Sequence, residues 1–290
     1  MTQIIQSLSE ISDRYDALLV DLWGCVHNGV TAFPEAVAAL QAYRAGGGAV
    51  VLLTNAPRSR HEVAKQLVRF GVPTDAYDTI ATSGDSARAA MFRGAVGSKV
   101  WFMGLDFDLT FFEPLHLIEN PVPVVRVPLE EAEGIVCCGP FDPHADPAVN
   151  RPEFLYAKQK GMKLLCANPD IVVDRGERRE WCAGALAALY TEMGGESLYF
   201  GKPHPPIYDL ARQRLAEIGR SVDAGAILAI GDGPATDIAG AMGEDIDSLF
   251  ISGGLAAAET KTADQPDPDS LTAYLASENI APTYTIGRLR

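Results

Sequence analysis

The sequence lacks a continuous apolar stretch as long as a membrane-spanning helix requires, which is about 20 residues. Its opening residues, MTQIIQSLSEISDRYD, lack the basic start and the apolar segment of a secretory signal peptide. The five cysteines are odd in number, no two of them have the CxxC spacing, and no HExxH sequence occurs. We therefore expect reduced thiols, no zinc centre and a cytoplasmic location.

Positive charge is scarce, since 24 Lys and Arg residues face 38 Asp and Glu residues, for a net charge of −14. Nucleic-acid binders need a basic surface, so we expect no nucleic-acid partner, and the missing apolar span predicts no membrane partner. The negative net charge does not exclude an anionic substrate, because a bound cation can make the electric field at the binding site positive. The 290 residues, of which 47% are hydrophobic, suffice for about two soluble globular domains.

Short apolar segments alternate with amphipathic ones along the chain. The apolar segments predict buried strands at 17–20, 49–53, 99–103, 134–138, 163–167, 197–200, 226–230 and 247–251. The amphipathic segments predict helices at 34–45, 59–70, 83–92, 147–160, 182–193, 205–218 and 235–242. Strands that alternate with helices predict an α/β fold built on a doubly wound parallel sheet.

The middle of the chain, from about residue 84 to residue 196, is richer in proline and spaces its strands less regularly. This change of texture predicts a second domain that is inserted into the first. We place the core at 1–82 and 197–290 and an α/β cap domain at 83–196.

Three predicted strands are followed by polar residues that can carry chemistry. Asp21 follows the first strand, Thr54 the second, and Asp232 the strand at 226–230. Ligands of open parallel sheets bind outside the carboxyl ends of the strands, so these side chains are expected to meet there. Two adjacent carboxylates repel unless they share a proton or a cation, and hard oxygen ligands suit Mg²⁺. Lys202 adds a cation that is able to pair with a carboxylate and a phosphoryl oxygen.

Four short motifs occur in a recognisable order: DLWG at 21–24, LTN at 53–55, GKP at 201–203 and GDGPATD at 231–237. Together they resemble the motifs of the haloacid dehalogenase (HAD) superfamily, and most closely its class IIA subgroup of NagD-like, phosphoglycolate and pyridoxal phosphatases. That subgroup carries an α/β cap between its second and third motifs. The sequences NPD at 168–170 and GAL at 184–186 are similar to signatures of that cap. The resemblance covers about residues 16 to 254.

The resemblance implies the roles of the polar residues. Asp21 would be the nucleophile that takes the phosphoryl group as an aspartyl-phosphate, and Lys202 would neutralise the developing charge. Thr54 and Asn55 would bind the phosphoryl oxygens. The cap would present Asn168 and Asp170 to the substrate, together with residues that set specificity.

The resemblance also implies a Mg²⁺ cofactor. Its ligands would be the carboxylates of Asp21, Asp232 and Asp237 and the main-chain carbonyl of Trp23. The expected partner is a small phosphorylated metabolite, and we also expect a homodimer that forms through the cap.

One position departs from the phosphatase pattern. The residue two places after the nucleophile is an aspartate in phosphatases of this superfamily, where it acts as general acid and base, but here it is Trp23. An indole N–H cannot serve as an acid or a base near pH 7. The sequence therefore predicts a Mg²⁺-dependent phosphatase, with two alternatives: a HAD enzyme of other, dehalogenase-like chemistry, or a phosphate-binding protein of weak activity. His27, the nearest imidazole, is interpreted as a structural loop residue.

Overall fold

The structure is a computed structural model that describes residues 2–115, 118–175 and 178–290. The chain forms two compact units. The first unit runs to Thr54 and resumes over Ala64–Ala81 and Lys202–Arg290, and the second consists of Asn55–Val63 and Thr82–Gly201. The domain division expected at 82/83 and 196/197 stays a prediction.

The regular elements are numbered along the chain. The strands are β1 (Gln3–Ile4), β2 (Ala17–Val20), β3 (Ala49–Thr54), β4 (Thr79–Thr82), β5 (Lys99–Met103), β6 (Val125–Arg126), β7 (Gly134–Cys137), β8 (Lys163–Cys166), β9 (Val172–Arg175), β10 (Arg178–Trp181), β11 (Glu196–Tyr199), β12 (Ile227–Gly231), β13 (Asp247–Ile251) and β14 (Tyr284–Ile286). The helices are α1 (Pro34–Ala45), α2 (Arg60–Phe70), α3 (Ser83–Phe92), α4 (Arg151–Gln159), α5 (Ala183–Glu192), α6 (Pro205–Glu217), α7 (Ala239–Gly243) and α8 (Pro268–Ser277).

The sheet of the first unit has seven strands in the order β1-β14-β13-β12-β2-β3-β4. The pairs from β1 through β3 all run parallel. Every residue of β2, β3 and β12 is buried, as expected for strands with helices on both sides of the sheet. The doubly wound α/β fold is thus confirmed, and the carboxyl ends of β2, β3 and β12 lie side by side.

The second unit contains a five-stranded sheet in the order β11-β8-β7-β5-β6, in which all pairs are parallel. The same unit contains a buried ion pair within α3, in which Arg88 Nη1 lies 3.1 Å from Asp85 Oδ1. The same guanidinium donates to the carbonyls of Phe111 and Glu113, at 2.9 and 2.6 Å. Since a buried cation is costly without partners, these bonds tie the chain around residues 106–113 to α3.

Some elements differ from the sequence pattern. The helix expected at 235–242 begins as a wide π-type turn over Pro234–Ile238, and the α-helix proper is only Ala239–Gly243. The hydrophobic pattern does not predict β4, because Thr-Ile-Ala-Thr is not an apolar run. It also does not predict the antiparallel ribbon of β9 and β10, because these strands are rich in charged residues. Within the part of the chain that the structure describes, no helix has both the length and the apolar character to cross a membrane.

Candidate active site

The neighbouring strands β2 and β12 place two carboxylates at one edge of the first unit's sheet. Val20 pairs with Ile230, and the next residue, Asp21, donates its N–H to the Ile230 carbonyl at 2.8 Å. Asp232 directly follows the end of β12, and Thr54 is the last residue of β3 on the other side of β2. The structure therefore brings Asp21, Thr54 and Asp232 to the same edge, where the strand rule for parallel sheets puts them.

Lys202 lies among these carboxylates. Its ammonium donates to Oδ1 of Asp21 and to Oδ1 of Asp237, the latter at 2.6 Å. Lys202 is only 2% exposed, and both carboxylates are buried. The other oxygen of Asp237 accepts the Gly233 N–H at 3.0 Å. Asp237 thus fixes the lysine next to the nucleophile expected at Asp21.

Glycines line the side of Asp232. A Cβ atom on Gly24 or on Gly254 would overlap the Asp232 carboxylate. Gly24 also has φ of +78°, a left-handed conformation that favours glycine. Oδ2 of Asp232 accepts the Leu255 N–H at 3.0 Å. Positions 24 and 254 are therefore occupied by glycine because the backbone there lies too close to the Asp232 carboxylate for a side chain.

The buried charges shift one another's ionisation. Burial raises the pKa of Asp21 well above its usual value, against the attraction of Lys202, and the charges of Asp237 and Asp232 add to the rise. Burial, followed by the charge of Asp237, raises the pKa of Asp232 to about 7. Burial alone would lower the pKa of Lys202, but Asp21 and Asp237 raise it well above its usual value. The carboxyl groups of Asp21, Asp232 and Asp237 outnumber the Lys202 ammonium, so a further cation would lower the electrostatic energy of the cluster.

The donor set fits Mg²⁺ in part of the cluster. Asp21, Cys25 and Asp232 offer ligand atoms that all lie within 4.8 Å of one another. Burial and the charges of Asp232 and Asp21 raise the pKa of the Cys25 thiol well above its usual value, and a soft sulfur is a poor ligand for the hard Mg²⁺ ion. The two carboxylates are the hard oxygen donors that Mg²⁺ prefers. Sequence reasoning missed Cys25, whose only signal is its position four residues after Asp21.

In the loop after β2, the Trp23 indole packs against the backbone of Gly29, a later residue of the same loop. A Cβ on Gly29, which has φ of +82°, would overlap the Trp23 indole. The indole meets the ring of His27 edge-on, with centroids 5.6 Å apart, and His27 meets Phe70 in the same way at 4.9 Å. Trp23 therefore holds the loop by apolar packing.

His27 is a buried, neutral part of this loop. Its Nδ1 accepts the Gly29 N–H at 3.0 Å, which places the imidazole proton on Nε2. Burial lowers the pKa of His27 to about 4, so the ring carries no charge at neutral pH. This geometry agrees with the structural interpretation of His27.

The remaining predicted site residues lie together in the second unit. The Asn55 carboxamide donates to Oδ1 of Asp170 at 2.8 Å, and the Asp170 N–H donates to Oδ1 of Asn168 at 3.0 Å. Asn55 and Asn168 are buried, and Asp170 is half-buried. The three residues therefore form one hydrogen-bonded chain.

Comparisons with known proteins agree with the motif order. Family models described as haloacid dehalogenase-like hydrolase and HAD-hydrolase-like match residues 18–116 and 199–277. A haloacid dehalogenase-like hydrolase from Brucella suis 1330 is 38% identical, with a TM-score of 0.84 over 99% of this chain and 100% of that one.

The chain is also similar to glycerol phosphate phosphatases of Mycobacterium tuberculosis. The D-glycerol 3-phosphate phosphatase of that organism is 25% identical over 255 residues, or 86% of this chain, and the chain spans 66% of the length of that relative. A crystal structure of a glycerol phosphate phosphatase from that organism in complex with magnesium is 24% identical, with a TM-score of 0.66 over 95% of this chain and 76% of that one.

The low pKa of His27 predicts how stability changes with pH. The folded pKa lies below the unfolded value of 6.5, so the unfolded state binds more protons between about pH 6.5 and pH 4, and stability falls as pH falls through this range. His27→Asn keeps an acceptor for the Gly29 N–H without the titration. We expect acidification from pH 7.5 to pH 5 to cost the wild type on the order of 2 kcal/mol more than the variant. Urea unfolding at both pH values measures this, and equal losses would contradict the assignment of His27 as a buried neutral ring.

Proposed function

The chain belongs to the haloacid dehalogenase-like hydrolase family, and from this we propose that it is a Mg²⁺-dependent phosphatase that acts on a small phosphorylated metabolite. The observation that carries the proposal is the buried contact of the Lys202 ammonium with Asp21 and Asp237. It sets a carboxylate nucleophile beside a fixed positive charge, which is the pairing that phosphoryl transfer requires.

In the proposed reaction an oxygen of Asp21 attacks the phosphorus, and the bond between phosphorus and the ester oxygen breaks. The product is an aspartyl-phosphate on Asp21 and the free alcohol or its anion. Water then attacks the phosphorus, releases phosphate and restores the carboxylate. Lys202 offsets the charge that builds on the phosphoryl oxygens, and Asp237 keeps its ammonium in place. Thr54 and Asn55 donate hydrogen bonds to those oxygens.

The proposed ligands of Mg²⁺ are Asp21, Asp232 and the main-chain carbonyl of Trp23, with Asp237 as the further acidic group. When bound, the ion supplies the positive charge that three buried carboxylates and one ammonium leave unmatched. The hard donor pair supports this choice of metal, as does the magnesium in the structure of the mycobacterial phosphatase.

Trp23 limits which esters react well. Its indole has no acidic or basic group, so the departing oxygen gains no proton from this position. Esters whose leaving groups are stable as anions, such as aryl, enol and acyl phosphates, need that proton least. The proposal therefore favours these over alkyl esters, within the class of small phosphorylated metabolites.

The remaining expectations are part of the same proposal. They are a position of Asn168 and Asp170 near the substrate, a cap at 83–196 through which two copies pair, a cytoplasmic location, and no nucleic-acid or membrane partner.

The direct test is hydrolysis of a panel of phosphate esters, beginning with p-nitrophenyl phosphate, with Mg²⁺ and after chelation of the metal. We expect turnover that requires Mg²⁺ and falls by about 10³-fold or more in Asp21→Asn, because the nucleophile is gone. Asp209→Asn, which changes an exposed aspartate, is the matched control. Release of halide from haloacids without phosphate hydrolysis would instead favour the dehalogenase-like alternative.

Asp232→Asn tests the metal site. The variant keeps an oxygen for the Leu255 N–H but removes one carboxylate charge next to Asp21. We expect calorimetry to give a Mg²⁺ affinity lower by about tenfold or more, while Asp209→Asn leaves the affinity unchanged. Equal affinities in Asp232→Asn and the wild type would remove Asp232 from the ligand set.

Trp23→Asp tests the missing acid. We expect turnover of an alkyl ester such as glycerol phosphate to rise by up to about 10²- to 10⁴-fold, the usual contribution of general acid–base catalysis. The rise should be smaller for p-nitrophenyl phosphate, whose leaving group needs less help. Trp23→Phe is the control, because it keeps an aromatic ring against Gly29 and supplies no acid. A folded, Mg²⁺-binding Trp23→Asp protein with no gain on any ester would contradict this account.

A further inference from the structure

We propose that Asp170 is a positioning residue, which fixes the Asn55 carboxamide in the orientation that a phosphoryl contact needs and does not itself touch the substrate. The inference rests on the proposed function, since it takes Asn55 to donate to a phosphoryl oxygen. The family resemblance implies that Asp170 faces the substrate; in this proposal Asp170 instead supports Asn55, which makes the contact.

The bond between the two side chains defines which way the carboxamide faces. Asn55 Nδ2 lies 2.8 Å from Asp170 Oδ1, and an ionised carboxylate accepts hydrogen bonds but donates none. The nitrogen of the amide must therefore face Asp170, and the oxygen must face away. A bond to a charged acceptor is also stronger than one between neutral groups, so it resists rotation of the amide.

The oxygen side of the same amide is closely packed. A Cβ atom placed on Gly201 would lie 2.5 Å from Asn55 Oδ1 and 2.6 Å from Ser83 Oγ. The backbone of Gly201 thus lies against the amide oxygen. Asn55 is 4% exposed, so its carboxamide is confined by Gly201 on one side and by Asp170 on the other.

Asp170 is itself held by a short turn and a helix. Its N–H donates to Asn168 Oδ1 at 3.0 Å, and its carbonyl accepts the Gly184 N–H at 3.1 Å. Gly184 lies in the first turn of α5, where a Cβ would come within 2.5 Å of the Asp170 carbonyl oxygen. Asn168 and Gly184 therefore fix the backbone of Asp170, which places its carboxylate on a rigid support.

This arrangement has a consequence for Asn55 as a donor. Nδ2 carries two hydrogens, of which Asp170 takes one, and the plane of the amide then sets the direction of the other. A donor whose direction is set before the reaction need not reorganise as charge develops on the phosphoryl oxygens. Asp170 contributes through that preorganisation.

A double-mutant cycle in the full-length protein tests the proposal. The variants are Asp170→Ala, Asn55→Ala and the pair together, with kcat and KM measured for p-nitrophenyl phosphate in Mg²⁺. We expect Asp170→Ala to lower kcat/KM by about tenfold relative to the wild type. The double variant should have the same kcat/KM as Asn55→Ala, because Asp170 acts through Asn55. Losses that multiply would mean that Asp170 acts on the substrate directly, and would overturn the proposal.

Two further variants separate positioning from a loss of structure. Asp170→Asn keeps an oxygen that accepts from Asn55 Nδ2, so we expect it to recover most of the activity that Asp170→Ala loses. Asp142→Ala is the matched control, because Asp142 is an exposed aspartate of the same unit that accepts one backbone N–H. We expect it to behave as wild type. Activity of Asp170→Asn as low as that of Asp170→Ala would count against the proposal.

A measurement without turnover keeps this inference distinct from the proposed function. The side-chain amide resonances of Asn55 are identified by NMR as those absent from Asn55→Ala. We expect them to be shifted and slow to exchange in the wild type and in Asp170→Asn, and to change position and exchange faster in Asp170→Ala. Unchanged resonances in Asp170→Ala overturn the positioning role. Absence of hydrolysis in the wild type, with the expected resonances, would count against the phosphatase proposal alone.

Discussion

The buried ammonium of Lys202, shared by Asp21 and Asp237, is the interaction on which the site of the first unit depends. A lysine that is 2% exposed stays charged only because two carboxylates replace its lost hydration. Those carboxylates arrive from the end of β2 and from the turn after β12, so the parallel sheet must bring the two strand ends together. Asp232 adds a third carboxyl group to the cluster, and the proposed Mg²⁺ would offset the excess of negative charge.

Position 23, in the loop after Asp21, can hold either an apolar ring that packs the loop or a carboxylate that acts as acid and base, but not both. Trp23 supplies an apolar ring that packs on Gly29 and meets His27 edge-on. A carboxylate in its place would offer an acid and base but would leave that packing unfilled. The neutral, buried His27 belongs to the packing of this loop, since its ring contacts Trp23 and Phe70. The proposed preference for esters with good leaving groups follows from the same choice.

Much of the candidate site could be predicted from the sequence because strand ends obey a simple rule. Asp21, Thr54 and Asp232 each follow a buried apolar run, and the carboxyl ends of neighbouring parallel strands must share one edge. The bond between Asn55 and Asp170 could not be predicted in this way. It joins residues 115 positions apart in loops that have no periodicity, so no local pattern indicates which atoms meet. Cys25 follows Asp21 by only four residues, but its closeness to Asp232, more than 200 positions later, depends on the tertiary structure.

The sequence by itself determined the alternation of strands and helices, the order of the motifs and the residue types at the strand ends. These follow from local hydrophobic pattern and from steric limits on short segments, which act over a few residues. Only the tertiary structure decided which charges pair, which nitrogen of His27 carries its proton and which way the Asn55 amide faces. Those outcomes depend on burial and on distances between residues far apart in the chain, because the ionisation of a carboxylate or an imidazole is set by the groups that surround it in space.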